Sequence, residues 1–191
     1  MPAEWKGRIA RSGAALAVAI ACLMAGAGPA LARGGRSEEP RRPWTGEITH
    51  VTDGDTVWVR PEAGSPPRKL RLNGIDAPEI CQAHGEDARE ALRGRALHRK
   101  VTVTTHATDA YHRLVVTLRT DGDDLGAWMV RQGHAWSYRY RRDPGPYAAE
   151  EAQARAGRRG LFADPGAERP RDFRQRYGSC YPNGGGKGKS W

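Results

Sequence analysis

The sequence predicts a small α+β barrel, and three observations predict it. Five short segments alternate apolar and polar residues with the period of a half-buried strand. Segments with apolar residues at helical spacing interleave with them. Turn residues recur every ten or so positions, as in a compact barrel rather than a long-helix fold. At 191 residues the chain suits one domain with tails.

The elements follow in order. Trp44 to Val51 is the first expected strand, ended by the tight-turn signal Asp53-Gly54. The second and third strands fall near 55–60 and 68–75. The loop from Pro61 to Pro67 between them holds three prolines and one glycine, and should be exposed. Helix one begins near Gly85-Glu86, with Ala88, Ala91, Leu92, Ala96 and Leu97 at helical spacing. Its acids (Glu86, Asp87, Glu90) come early and its bases (Arg95, His98, Arg99) late, as the helix dipole favours. Lys100 to Thr105 is a fourth strand and Arg113 to Arg119 a fifth, separated by the polar turn Asp109-Ala110-Tyr111-His112. After the turn Asp121-Gly122-Asp123-Asp124, Asp124 is placed to cap a helix running through Trp128, Met129 and Val130 to Gln132, closed by Gly133. Ala135 to Tyr140 is extended, and Pro146 to Arg158 is a third helix ended by Gly160. Trp58, Trp128 and Trp136 are expected in or near the core. From Asp164 the composition turns to Pro, Arg and Gly, and residues 183–191 form a Gly/Lys tail expected to be disordered.

The chemistry concentrates between Val51 and Glu79. Asp55, Asp76 and Glu79, with Arg71, lie beside turn residues. If the segments Thr56-Val57-Trp58-Val59 and Lys69-Leu70-Arg71-Leu72 pair as a hairpin, Asp55 begins one strand and Asp76 follows the other. Both carboxylates then sit at one end of the sheet, an oxygen-rich site for a hard divalent cation. Taken singly, Asp55 is also read as a turn carboxylate, and Arg71 or Arg113 as a salt-bridge partner.

The start of the chain reads as targeting rather than fold. Lys6, Arg8 and Arg11 precede an apolar run from Ala14 to Ala25, too short to span a bilayer comfortably. Ala30-Leu31-Ala32 is an A-x-A site, so residues 1–32 are read as a secretory signal peptide cleaved after Ala32, and 33–43 as a flexible linker. An N-terminal anchor helix is one alternative, and a lipoprotein signal using Cys22, for which Ala19 is a poor match, is another. Cleavage leaves Cys81 and Cys180, an even pair that suggests one disulfide in an exported protein. Two free thiols, or a zinc site using Cys81 and His84, are the alternatives, though no further zinc ligands stand nearby. The six histidines show no ligand spacing and receive no role.

The formal charge is +9. Residues 1–32 contribute three bases and one acid, a net of +2, so the remainder keeps +7. A basic exported domain points to a polyanionic partner such as nucleic acid or an acidic cell surface.

Four strings in fixed order carry a resemblance: Asp53-Gly54-Asp55-Thr56-Val57; Arg71-Leu72-Asn73-Gly74-Ile75-Asp76-Ala77-Pro78-Glu79; Asp109-Ala110-Tyr111-His112-Arg113; and Leu125 through Val130-Arg131-Gln132-Gly133 to Tyr138-Arg139-Tyr140. With them the chain, from about Glu47 to Phe162, resembles the staphylococcal nuclease family. The resemblance implies a five-stranded OB-fold barrel with about three helices over residues 44–163; residues 164–182 are left as a C-terminal extension that the Cys81–Cys180 pair would tie back. It implies Ca²⁺-dependent hydrolysis of DNA and RNA phosphodiesters to 3′-phosphate and 5′-hydroxyl ends. Carried over by position, Asp55, Asp76 and the backbone carbonyl of Ala77 resemble the Ca²⁺ ligands, and Glu79 the residue that orients or deprotonates the attacking water. Arg71 and Arg113 resemble the pair that grips the phosphate, while Tyr111, Tyr138 and Tyr140 resemble substrate-contacting tyrosines. The chain departs from the family prototype at Ala77, where Thr is common, at Ala110, where Lys stands, and in a shorter loop from Ile80 to His84.

Two functional classes follow. One is an exported, sugar-nonspecific endonuclease acting as a monomer on DNA and RNA, with no stable membrane span once the signal is removed, and so secreted or periplasmic. The other is a non-catalytic OB-fold module that holds nucleic acid outside the membrane. All of Asp55, Arg71, Asp76, Glu79 and Arg113 are present, which favours the enzyme.

Overall fold

A computed structural model describes residues 42–180. The expected signal peptide and Gly/Lys tail, and all but the end of the linker, lie outside the described residues. In chain order the strands and helices are β1 (Trp44–Asp53), β2 (Thr56–Pro61), β3 (Arg68–Leu72), β4 (Ile75–Asp76), α1 (Gly85–Ala96), β5 (Lys100–Thr108), β6 (Leu114–Thr120) and β7 (Asp123–Asp124). They continue with α2 (Leu125–Arg131), β8 (Trp136–Ser137), α3 (Ala148–Ala156), a 3-10 turn (Gly160–Ala163) and α4 (Pro170–Tyr177).

Five strands form the barrel in the order β3-β2-β1-β5-β6, and β3 closes on β6. All neighbours are antiparallel except that closing pair, which runs parallel with Leu70 opposite Leu114 and Arg71 opposite Val115. The α+β barrel is therefore present, and its closure removes the free edges an open sheet would leave. Alternation places Ile48, Val57, Val59, Leu70, Val101, Val103, Val116 and Leu118 inside, essentially without solvent contact. Helix α1 lays Ala88, Leu92 and Ala96 on that core, and α2 adds Leu125, Met129 and Val130. Asp124 caps α2 as its position predicts, accepting the Ala127 amide at 3.1 Å.

Four differences from expectation have physical causes. The expected strand 68–75 breaks at Asn73-Gly74, because Gly74 takes φ = 74° and the Asn73 amide turns to the Val116 carbonyl. The remainder, β4, leaves the barrel and pairs with β8 in a separate two-stranded sheet. Trp58 is exposed rather than core, since Val57 and Val59 on either side of it both point inward. The segment after Asp164, expected as an extension without an element of its own, contains α4, opened by Pro170 in its first turn.

Candidate active site

The site is assembled where β2 begins and β3 and β4 end. Asp55 sits in the turn between β1 and β2, and its backbone amide donates to Asp53 Oδ1 at 3.0 Å. Its carbonyl accepts the Leu72 amide, which ties the turn to the end of β3. The β2–β3 register sets Thr56 opposite Arg71. From there Arg71 Nη1 reaches both oxygens of Asp55 at 2.9 Å, while Thr56 Oγ1 donates to Asp55 Oδ1 at 2.8 Å. The other guanidinium nitrogen, Nη2, lies 3.5 Å from the Ile75 carbonyl and from Asp76 Oδ1. Asp76 is held from its far side by β8, with Trp136 as its strand partner.

Glu79 is set by a tight loop. Its amide donates to Gln82 Oε1 at 3.1 Å and its carbonyl accepts the Gln82 amide at 2.8 Å. Gly85, at the start of α1, passes so close that a Cβ there would overlap the Glu79 carbonyl oxygen. The Glu79 carboxylate accepts from Arg174 Nη1 at 2.6 Å, and the same guanidinium lies 3.4–3.5 Å from Asp76 Oδ1.

Asp55 and Asp76 are buried, 5% and 7% exposed, so little solvent shields them. Burial raises the Asp76 carboxyl above its ordinary value, with Asp55 adding to the rise and the Arg174 and Arg71 guanidiniums opposing it. Asp53 is pushed up to about 7, by burial first and by the neighbouring Asp55 second. Arg71 is likewise raised, by the Asp55 charge above all, so its guanidinium stays firmly protonated. Asp55, Asp76 and Glu79 thus stand against two guanidiniums (Arg71, Arg174), a formal excess of one negative charge, to which Asp53 adds when it loses its proton. Such an excess in a poorly solvated place calls for a cation. The donors suit a hard one: the Asp55 and Asp76 carboxylates, with the Ala77 backbone carbonyl one residue on, offer oxygen only. Among the described residues no three His, Cys, Asp or Glu side chains converge at metal-ligand spacing. The oxygens of Asp55 and Asp76 are of the chemical kind a hard cation takes, and in this arrangement they are bonded to the Arg71 and Arg174 guanidiniums.

The other expected residues have bonding partners of their own. Arg113 stands just before Leu114, the β6 residue that faces Leu70. Its Nε pairs with Asp109 Oδ2 at 2.7 Å and its guanidinium covers the Tyr111 ring at 5.4 Å. Burial would raise the Asp109 carboxyl, but bonds from the Arg113 and Tyr111 backbones and the Arg113 side chain hold it below its ordinary value. Tyr111, Tyr138 and Tyr140 are all exposed. The Tyr138 amide donates to the Gly74 carbonyl at 2.8 Å, which anchors it beside the β3–β4 turn.

Arg174 escaped sequence reasoning, although a signal for its placement existed. The Cys81–Cys180 disulfide is formed. Bonding Cys180 to a residue two positions past Glu79 delivers a basic segment to the site, but Arg171, Arg174 and Arg176 are then equal candidates on paper.

Residues 69–164 match the family described as Staphylococcal nuclease homologue. The chain is 38% identical to Protein ParB of Escherichia coli over 142 residues, 68% of this chain and 78% of that protein. It is 34% identical to Micrococcal nuclease of Shigella flexneri over 141 residues, covering 68% and 80%. It is 32% identical to an Uncharacterized endonuclease of Haemophilus influenzae over 132 residues, covering 69% and 73%. A closed five-stranded barrel, a site where β2 begins and β3 and β4 end, and these matches lead to one conclusion: the chain belongs to the staphylococcal nuclease family.

Proposed function

We propose that this protein is an exported, Ca²⁺-dependent, sugar-nonspecific endonuclease that cuts DNA and RNA to 3′-phosphate and 5′-hydroxyl ends, acting as a monomer. The observation that carries it is the gathering of Asp55, Arg71, Asp76 and Glu79 within one hydrogen-bonded cluster. Relatives named Micrococcal nuclease and endonuclease support the same reaction class.

Asp55, Asp76 and the Ala77 carbonyl would hold Ca²⁺. When bound, the ion supplies positive charge to the phosphate and a source of polarised water. The chain's own residues do the rest. Arg71 binds the phosphate through its planar fork and stays protonated while charge builds on the equatorial oxygens. Arg113 adds a second guanidinium from the start of β6. Glu79 takes a proton from the attacking water through Oε2, since Oε1 already accepts from Arg174. The water oxygen joins phosphorus, the bond to the 5′ oxygen breaks, and that oxygen is protonated from solvent. The exposed rings of Tyr111, Tyr138 and Tyr140 offer faces for bases to stack on.

Export is supported by the disulfide, which persists in oxidising compartments. Among the described residues no helix is long and apolar enough to cross a membrane. The test is cleavage of single- and double-stranded DNA and of RNA, with Ca²⁺ and with chelator, by the wild type and by Glu79→Gln. Wild-type cleavage should vanish with chelator, and Glu79→Gln should lower the rate about 10²- to 10⁴-fold while the protein stays folded. Tight, salt-sensitive binding without cleavage by the wild type would instead make the protein a binding module.

A further inference from the structure

We propose that Arg174 is a positioning residue of the active site, supplied by a helix outside the barrel and held against Glu79 by the Cys81–Cys180 disulfide. The assignment rests on Glu79 being the base proposed for this site.

Three observations carry it. The first is contact. Arg174 Nη1 lies 2.6 Å from Glu79 Oε1, a charge-assisted bond at the short end of the range. The bond is made to the Glu79 carboxylate itself. The same guanidinium reaches Asp76 Oδ1 at 3.4–3.5 Å, so one planar group spans the base and a carboxylate of the cation site.

The second is delivery. The segment from Asp164 to Cys180 is fastened to the very loop that carries Glu79. Cys180 is bonded to Cys81. Gln82, which holds the Glu79 amide, also donates through Nε2 to the Glu168 carbonyl at 2.6 Å. His84 pairs with Asp164 at 3.0 Å. Helix α4 has only eight residues and would be marginal alone, so these ties hold its phase and with it the direction of Arg174.

The third is sign. Arg174 occupies one oxygen of Glu79 and leaves the other, and its contacts to Asp76 are at the long limit of a hydrogen bond. A guanidinium beside an incoming phosphate attracts it. Fixing a rotamer-rich glutamate removes freedom that would otherwise be lost during reaction. Arg174 therefore promotes turnover, and reducing the disulfide lowers it.

The experiment is single-turnover and steady-state cleavage of DNA by the full chain and its variants R174A, R174K, E79Q, E79Q/R174A and C81S/C180S. Melting curves and calorimetric Ca²⁺ titration accompany each. R174A should lower kcat about 10- to 100-fold with KM changed less than about threefold. R174K should regain part of that loss. Ca²⁺ should bind R174A at least as tightly as wild type, since a cation near Asp76 is gone. In the E79Q background R174A should cost less than about threefold, because a residue acting through Glu79 has nothing left to position. C81S/C180S should lower kcat in wild type and have little further effect in R174A. If R174A loses its melting transition, R174Q, which keeps most of the stem, is read in its place. An R174A kcat equal to or above wild type overturns the proposal, as does an equal R174A penalty with and without Glu79. If E79Q alone cleaves at the wild-type rate, the base assignment itself has failed, and that result is read from the single variant.

Discussion

Removing the Glu151 carboxylate should loosen Asp76 from a distance. Glu151 projects from α3 and is 1% exposed. Its Oε2 accepts the Ser137 amide at 3.0 Å, and Oε1 is shared by Arg155 at 2.8 Å, Arg139 at 3.0 Å and Arg169 at 3.6 Å. Losing one partner of a buried ion pair costs about 3–5 kcal/mol when the other charge is stranded. Here Arg139 and Arg155 are about half exposed and can turn to water. The cost therefore falls mainly on the buried Ser137 amide, about 1–3 kcal/mol, and on Arg169, which burial already makes easier to deprotonate. Glu151→Ala should destabilise by about 2–4 kcal/mol, a melting shift of about 10 °C for a domain of this size. Glu151→Gln keeps an acceptor for Ser137 and should cost about half as much. Because Ser137 and Trp136 are the strand partners of Ile75 and Asp76, Glu151→Ala should also slow cleavage at temperatures where it remains folded. The assay is thermal unfolding with chelator present, then cleavage rates well below each midpoint. A Glu151→Ala midpoint within about 2 °C of wild type, or a Glu151→Gln midpoint below that of Glu151→Ala, would refute the reasoning.

Two further outcomes test the neighbouring geometry. Asp53 keeps its proton to about pH 7 in the folded protein but releases it near 3.8 when unfolded. The folded state thus binds more protons in that window, and without divalent cations stability should fall as pH rises from about 4 to about 7, by up to ~1.4 kcal/mol per pH unit. Urea unfolding of wild type and Asp53→Asn across that range checks it; an equal slope in both proteins would remove Asp53 as the cause. Gly85→Ala would drive a methyl into the Glu79 carbonyl, and should destabilise by about 2 kcal/mol while lowering cleavage. Wild-type melting and rate together would show that the loop shifts freely.

The barrel was legible because its strands carry the period-2 pattern that burial on one face imposes. The same holds for Asp124, whose capping role follows from a short acceptor just ahead of an apolar run. Asp55 and Arg71 were legible because the hairpin sets Thr56 opposite Arg71, whereas Asp76 and Glu79 reach the same place through the β4–β8 pairing and the Gln82 loop. What escaped depended on non-local contacts. The chain reads through Asn73-Gly74 as continuous alternation, and only the pull of β8 on Ile75 and Asp76 shows why it breaks. Helix α4 carries only a short stripe, Pro170, Phe173 and Tyr177, at helical spacing within a stretch rich in Arg, and its Phe173 and Tyr177 rings lie 4.9 Å apart. Its stability comes from the loop it docks on, and so does the choice of Arg174 over Arg171 or Arg176. Trp58 was misplaced because its bulk outweighed its position; the alternation that buries Val57 and Val59 already pointed it to solvent.

The parallel closure of β3 on β6 sets an order on biosynthesis. A ribosome releases Asp55, Arg71, Asp76 and Glu79 early, yet the barrel cannot shut until Leu114 and its neighbours have followed. Arg174 appears 95 residues after Glu79. At ordinary elongation rates of about 5–20 residues per second, that interval is on the order of 5–20 s. The carboxylates emerge as an unclosed strand pair, and the site takes its geometry only once the later strands and α4 have joined it.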